Sequence, residues 1–264
     1  MMITLLRIAI LLLAMVVPSA WGQFVELHVG YEDKDNYDHT GTGAVVPEHP
    51  GVMVELVRML PSKLTNLRVV FSRKPWARCL AELEVGAVDG IFSSSFKLDR
   101  MKIGVYPMRD GKDDPRFRID TKTYSLYKLV NSPLHWDGNN FANLSQGLIA
   151  LRGYAIVDDL KKMGITVNEV NNAEDAFRML LAGRADGFAH LTDFGDYSLR
   201  MNGEFDNIMK ITPPIITRDY YLQISHQFHA KHPQLVPKIW QALAEIRQAE
   251  SERLVSKYLK LYSQ

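Results

Sequence analysis

The 264-residue chain carries 31 Lys plus Arg against 30 Asp plus Glu, and one cysteine, Cys79. The even balance argues against a nucleic-acid partner, which calls for a basic face. A single cysteine excludes an internal disulfide, and a chain this long buries a core without such staples.

The first 22 residues read as a secretory signal. Arg7 precedes an apolar run from Ile8 to Val17, followed by Pro18 and the small pair Ala20 and Gly22, with cleavage expected after Gly22. The run is shorter than the roughly 20 residues of a membrane-spanning helix. No later segment is apolar enough to span a bilayer. Cys79 lies too far from the cut to carry a lipid anchor. The expected location is the periplasm.

The mature chain alternates strand and helix patterns. "FVELHVGY" alternates as a strand. "GVMVELVRMLPSKL" places Val52, Leu56, Met59 and Leu60 on one helical face. "LRVVFS" reads as a second strand. "PWARCLAELEVGAVDGIFSSS" reads as helix, glycine turn and strand, with Gly86 as the helix stop. This order predicts a parallel sheet with helical crossovers.

The same phrase returns later. "LEVGAVDGIF" (83–92) is echoed by "LLAGRADGFA" (180–189), each a helix end, a glycine, two residues, Asp-Gly and an apolar strand. The second copy has its own lead-in: "GLIALRG", "YAIVDDLKKMG", "ITVNEV" and "NAEDAFRMLLAG". The reading is two similar α/β units rather than one long sheet. Two extended segments, "YSLYKLV" and "ITPPIITRDYYLQIS", run between them. The tail repeats Leu235, Val236, Ile239, Leu243, Ile246, Leu254, Tyr258 and Leu261 at helical spacing, for packing on the first unit.

With these phrases in order, the chain resembles the family 3 extracellular solute-binding proteins, the periplasmic receptors for polar amino acids in ABC importers. The resemblance rests on "PWARCLAELEVGAVDGIFSSSFKLDRMKIGVYPM", "NAEDAFRMLLAGRADGF" and "YYLQISHQFHAKHPQLVPKIWQALAEI", and covers nearly all of the mature chain. It implies a two-lobed α/β fold of the type II periplasmic binding class, each lobe a mixed sheet flanked by helices. The first lobe is expected at 23–122 with a return at 219–264, the second at 131–210, and the hinge strands at 123–130 and 211–218.

The resemblance also implies a site. A hydroxyl five residues before an arginine, with that arginine, holds the ligand's carboxylate in the family. Those positions are Ser95 and Arg100, with Ser93 on the same turn. The chemistry agrees: ligands bind beyond the carboxyl ends of strands in open α/β sheets, and a guanidinium fork matches a carboxylate. Gly153 and Tyr154 stand where the second lobe offers backbone donors at a helix start. The acid that holds an ammonium in the family is replaced here by Leu191. Asp193 substitutes if the loop shifts by two. Glu32 and Asp33, in "GYEDKDNYD", are either cleft acids or a solvated charge run. Tyr31 and Trp76 are candidate aromatic walls, with a core anchor after Pro75 as the other reading of Trp76.

Other signals carry less. "SSFK" lacks the companion phrases of penicillin-binding enzymes. His226, His229 and His232 step by three and converge poorly on a metal. The expected function is therefore a non-catalytic, monomeric receptor without cofactor or metal. It closes over a small carboxylated solute, an amino acid or related organic acid, for transporter subunits or a sensor. A dehydratase of cyclohexadienyl acids on the same fold, with Glu32, Asp33 or Asp193 as general acid, is the alternative.

Overall fold

The computed structural model describes residues 24–262. The expected export signal at 1–22 lies outside the described residues. Chain order begins with β1 (Val25–Glu32), α1 (Val52–Arg58), α2 (Leu60–Lys63), β2 (Leu67–Lys74), α3 (Trp76–Glu84) and β3 (Gly90–Ser95). A short ribbon, β4 (Met108–Arg109) with β5 (Lys112–Asp113), precedes the long strand β6 (Asp120–Leu129). A second ribbon, β7 (His135–Trp136) with β8 (Phe141–Ala142), leads to β9 (Leu148–Leu151), α4 (Ala155–Lys162), β10 (Val167–Val170), α5 (Ala173–Leu181), β11 (Gly187–Leu191) and α6 (Thr192–Met201). The chain returns through β12 (Ile208–Ile224) and ends in α7 (His226–Lys231) and α8 (Val236–Tyr262).

The helix expected across "GVMVELVRMLPSKL" is two helices. Pro61 has no N–H to continue the ladder, so the chain breaks at Met59 and restarts with the proline in the first turn of α2. The buried face survives the break: Val52, Leu56 and Leu60 are all fully buried.

The sheet order is β10-β9-β11-β6-β12-β3-β1-β2. β1 pairs parallel with β2 and β3, and β9 pairs parallel with β10 and β11. Each trio then meets an antiparallel strand, β12 against β3 and β6 against β11. The expectation of two separate sheets needs correcting on this point. β6 and β12 also pair with each other, so one main-chain ladder runs through all eight strands.

The repeated Asp-Gly has a structural cause. Asp89 Oδ2 accepts from the His28 N–H at 2.8 Å, next to β1's pairing with β3. Asp186 accepts from the N–H groups of Ser145, Gln146 and Gly147 at 2.7–2.9 Å, just before β9. Burial alone would raise the Asp186 carboxyl, but these donors hold it below its ordinary value. The following glycine answers to packing. A Cβ on Gly187 would stand 2.7 Å from Leu134, and one on Gly90 3.1 Å from the Gln223 carbonyl oxygen.

The tail helix packs on α1 and α2. Lys257 Nζ and Tyr258 Oη both lie 2.6 Å from Glu55 Oε1 on α1. Ile239, Leu243, Ile246, Leu254 and Tyr258 are buried, whereas Leu261 in the last turn is exposed. Among the described residues, no helix is long and apolar enough to cross a membrane.

Candidate functional site

The three serines at the end of β3 divide their work. The ladder with β12 slips between Tyr221 and Gln223, and opposite that slip Ser93 adopts φ 56°. A serine in the left-handed region is uncommon, and such a bulge re-aims a side chain. Ser93 and Ser95 line a cavity. Ser94 is fully buried on the other side, 2.8 Å from Tyr106 Oη and 2.9 Å from Gln223 Oε1.

Arg100 stands on a 3₁₀ turn, Leu98–Lys102, and is only 9% exposed. Gln223 Nε2 donates to its carbonyl at 2.7 Å, which fixes the backbone. Its Nη1 donates to Ser95 Oγ at 2.9 Å and to the Ser95 carbonyl at 3.1 Å. Its Nη2 reaches the other half of the molecule and donates to the Gly153 carbonyl at 2.8 Å. No carboxylate among the described residues pairs with this guanidinium.

Gly153 and Tyr154 lead into α4. The helix start has no side-chain cap, so its first N–H groups are of the kind that favour anions. Gly153 has φ 76°, and a Cβ there would meet the Trp76 ring at 3.3 Å. Trp76 Nε1 donates to the Gly153 carbonyl at 3.2 Å, and the Arg100 guanidinium lies 5.6 Å from the indole centroid. Trp76 is both buried and on the cavity wall, so its two sequence readings hold together.

Tyr154 crosses to the opposite wall. Its hydroxyl donates to Glu32, with the two carboxylate oxygens at 2.8 and 2.9 Å, and accepts from Lys34 Nζ at 2.8 Å. Burial, then the Glu32 charge, pushes this phenol well above its ordinary value, so it stays protonated. Lys34 lies 4.1 Å from the Phe194 ring centroid. Burial pulls its ammonium down, with Glu32 and Asp38 acting against that. Further bonds span the halves, among them Lys97 Nζ to the Ala155 carbonyl at 3.1 Å, and Arg218 to Asp159 at 2.6 Å.

The far end of the cavity is built on Lys122 of β6. Its ammonium sits 2.9 Å from Asp38, 2.8 Å from Asp120 and 3.7 Å from Asp193. Burial works against the charged form of Lys122, but Asp38 and Asp120 outweigh it and raise its pKa. His39, beside Asp38, is buried. Burial first, then the charges of Lys34, Lys122 and Arg73, holds it neutral. Tyr124 and Tyr220 complete the wall, and burial pushes Tyr220 up to about 12. The cavity contains about 490 Å³ of empty space, solvent at its mouth included.

Of the sequence candidates, Arg100, Ser93, Ser95, Trp76 and Tyr154 line this one cavity, and the Gly153 carbonyl meets Arg100 at its edge. Two do not line it. Tyr31 shares a strand face with Leu27 and Val29, because side chains alternate along β1, and it stacks on Phe92 in the core at 5.4 Å. Asp193 is exposed at the start of α6, where it accepts from Tyr37 Oη at 3.1 Å. Of the two loop acids, Glu32 lines the cavity, while Asp33 pairs with buried Arg73 at 3.2 Å. Lys34, Asp38, His39 and Lys122 were not singled out by sequence reasoning. The charged run that ends at Asp38 contains Lys34 and Asp38, while His39 and Lys122 lie outside it.

No family model matches the chain, and no curated protein matches it in sequence. Solved structures do match in shape. A histidine kinase sensor domain with similarity to periplasmic binding proteins superposes with a TM-score of 0.70 at 17% identity, covering 90% of this chain and 97% of that one. An ancestral arginine-binding protein bound to glutamine gives 0.66 at 17% identity, over 88% and 97%. An ancestral amino-acid-binding protein, a precursor of cyclohexadienyl dehydratase, gives 0.63 at 15% identity, over 88% and 94%. The fold is thus the two-lobed type II periplasmic binding fold, as the sequence resemblance implied.

Proposed function

We propose that this chain is a periplasmic solute receptor that closes over a small carboxylate-bearing solute and does no chemistry on it. The observation that carries this reading is the Arg100 guanidinium. It is buried in the crevice, oriented by Ser95, and bonded to neutral oxygens alone among the described residues. A buried cation of this kind favours an anionic guest, for which its planar fork is shaped. The lobes are 23–122 with 219–264 and 131–210, hinged where β6 and β12 cross. Ser93 and Ser95 act with Arg100 from the first lobe, and the start of α4 acts from the second.

Binding shifts the balance of open and closed forms only as far as the solute prefers the closed one. The closed form is what transporter subunits or a sensor would read. Export through a cleaved signal and a monomeric state complete the reading. Native mass spectrometry of the purified protein, followed by calorimetric titration of the compound found, tests it. A co-purifying or titrated solute without any carboxylate or equivalent anion would sink it.

A second reading, a dehydratase of cyclohexadienyl acids, is favoured by the Glu32 carboxylate lying in the same cavity as Arg100. Incubation with prephenate or arogenate decides it by the presence or absence of aromatic product.

A further inference from the structure

The walls of the cavity are fastened to each other. Gly153 is pinned twice, because its carbonyl accepts from Arg100 Nη2 at 2.8 Å and from Trp76 Nε1 at 3.2 Å. Lys97 Nζ holds the next turn through the Ala155 carbonyl at 3.1 Å and pairs with Asp158. Arg218 of β12 holds Asp159 at 2.6 Å. The start of α4 is thus tied down from Gly153 to Asp159, and the wall it forms has little freedom to retreat. Tyr220 Oη donates to Tyr124 Oη at 3.1 Å, which joins two more of the lining side chains.

Tyr154 fills much of the space between these walls. It is 6% exposed and lines the cavity, and its hydroxyl is seated on Glu32 at 2.8 and 2.9 Å and on Lys34 at 2.8 Å. What remains is small: the volume open to the centres of water-sized spheres is about 40 Å³. On that measure one water needs roughly 10–15 Å³, and a protein cavity of about 150 Å³ takes benzene. By the same scale the space admits roughly four non-hydrogen atoms, and a six-membered ring does not fit.

We infer that Tyr154 limits the solute by size, and that the guest of Arg100 is a carboxylate of two or three carbons. The inference rests on the receptor reading above and names its solute class. Arg100 can serve such a guest without releasing Gly153, because a guanidinium carries five N–H donors and its bonds to Ser95 and Gly153 use only Nη1 and Nη2. A longer tail has to displace the phenol from Glu32 and Lys34 or part Arg100 from Gly153. Losing one such bond to a charged group weakens binding roughly ten- to a hundredfold. A guest of four or five atoms also has a ceiling, since the best tiny ligands of that size reach dissociation constants of about 3–40 μM.

The test is calorimetry on the unaltered protein with acetate, propanoate and pyruvate, set beside hexanoate and benzoate. The expected result is micromolar or weaker binding of at least one short acid, and binding of the long and cyclic acids at least tenfold weaker. Tyr154→Ser, with its folding checked by urea denaturation, should bind hexanoate or benzoate at least tenfold tighter than the parent does. Hexanoate or benzoate binding the parent as tightly as the short acids, and lost with Arg100→Ala, would overturn the size limit and leave the receptor reading standing. So would a folded Tyr154→Ser variant that keeps the parent's order of preference. Binding that Arg100→Ala does not change would overturn the receptor reading. A panel in which nothing binds would overturn the short-carboxylate assignment.

Discussion

Arg100 and Gly153 come from opposite halves of the sheet, and the guanidinium of one donates to the carbonyl of the other at 2.8 Å. Arg100→Ala removes this bond along with the fork proposed to hold an anion. Truncating one partner of a buried charged pair costs about 2–5 kcal/mol of affinity. Titration into the variant of a solute found to bind the parent should show that loss. An unchanged dissociation constant would place the solute elsewhere.

Tyr154→Phe deletes only the hydroxyl that joins Glu32 and Lys34 to the second half. Bonds to charged partners contribute about 1.5–3 kcal/mol each. The solute-free variant should spend more time open, and small-angle scattering should report a larger radius of gyration than for the parent. Identical scattering curves would mean that the bridge does not hold the halves together.

Lys122→Met leaves Asp38 and Asp120 buried or half-buried without their shared cation. Breaking a buried pair from one side costs about 3–5 kcal/mol. Urea denaturation should show a midpoint lowered accordingly at pH 7. A loss under about 1 kcal/mol, the scale of a surface pair, would mean that the cluster is effectively solvated.

Asp186→Asn tests the repeated Asp-Gly. The native carboxylate accepts three backbone N–H bonds, and its folded pKa is held below the unfolded value. Its contribution is therefore full above the unfolded value, near pH 4, and fades as pH falls through the folded one. The variant should be less stable by about 1–3 kcal/mol at pH 7, and the gap should close in acid. A gap that stays constant from pH 7 to pH 3 would contradict the assignment.

Gly51 precedes α1 at φ 104°, and a Cβ there would lie 2.3 Å from the Asp38 carbonyl oxygen. Gly51→Ala combines backbone strain with a clash against backbone, so it should cost more than the roughly 1 kcal/mol of an ordinary exchange. It should also displace Asp38 and His39, weakening solute binding beyond its effect on stability. Affinity retained in a folded variant would show the loop to be tolerant.

Much of the fold was legible because it rests on local pattern. Gly86 at φ 70° ends its helix as its position predicts, and both Asp-Gly phrases precede a third parallel strand. The site was legible where it hangs from those strands, as at Ser93, Ser95 and Arg100. It was not legible where burial depends on distant partners. Asp38 looks like one charge in a polar run, and its burial depends on Lys122, far along the chain, and on the close approach of Gly51. Tyr31 misled because strand phase, not proximity to the strand end, decides which way a ring points. Asp193 misled because α6 begins at Thr192, which turns the next residue out to solvent.

The strand arrangement also bears on how the molecule is made. β6 to β11 are one uninterrupted stretch, so the inner body can assemble as soon as residue 191 is available. The outer body lacks its antiparallel margin until β12 arrives, and its covering helix comes last of all. Biogenesis is thus expected to run from the middle of the polypeptide outward. The amino-terminal trio β1–β3 waits, incomplete and in need of protection, for the carboxyl terminus to finish it.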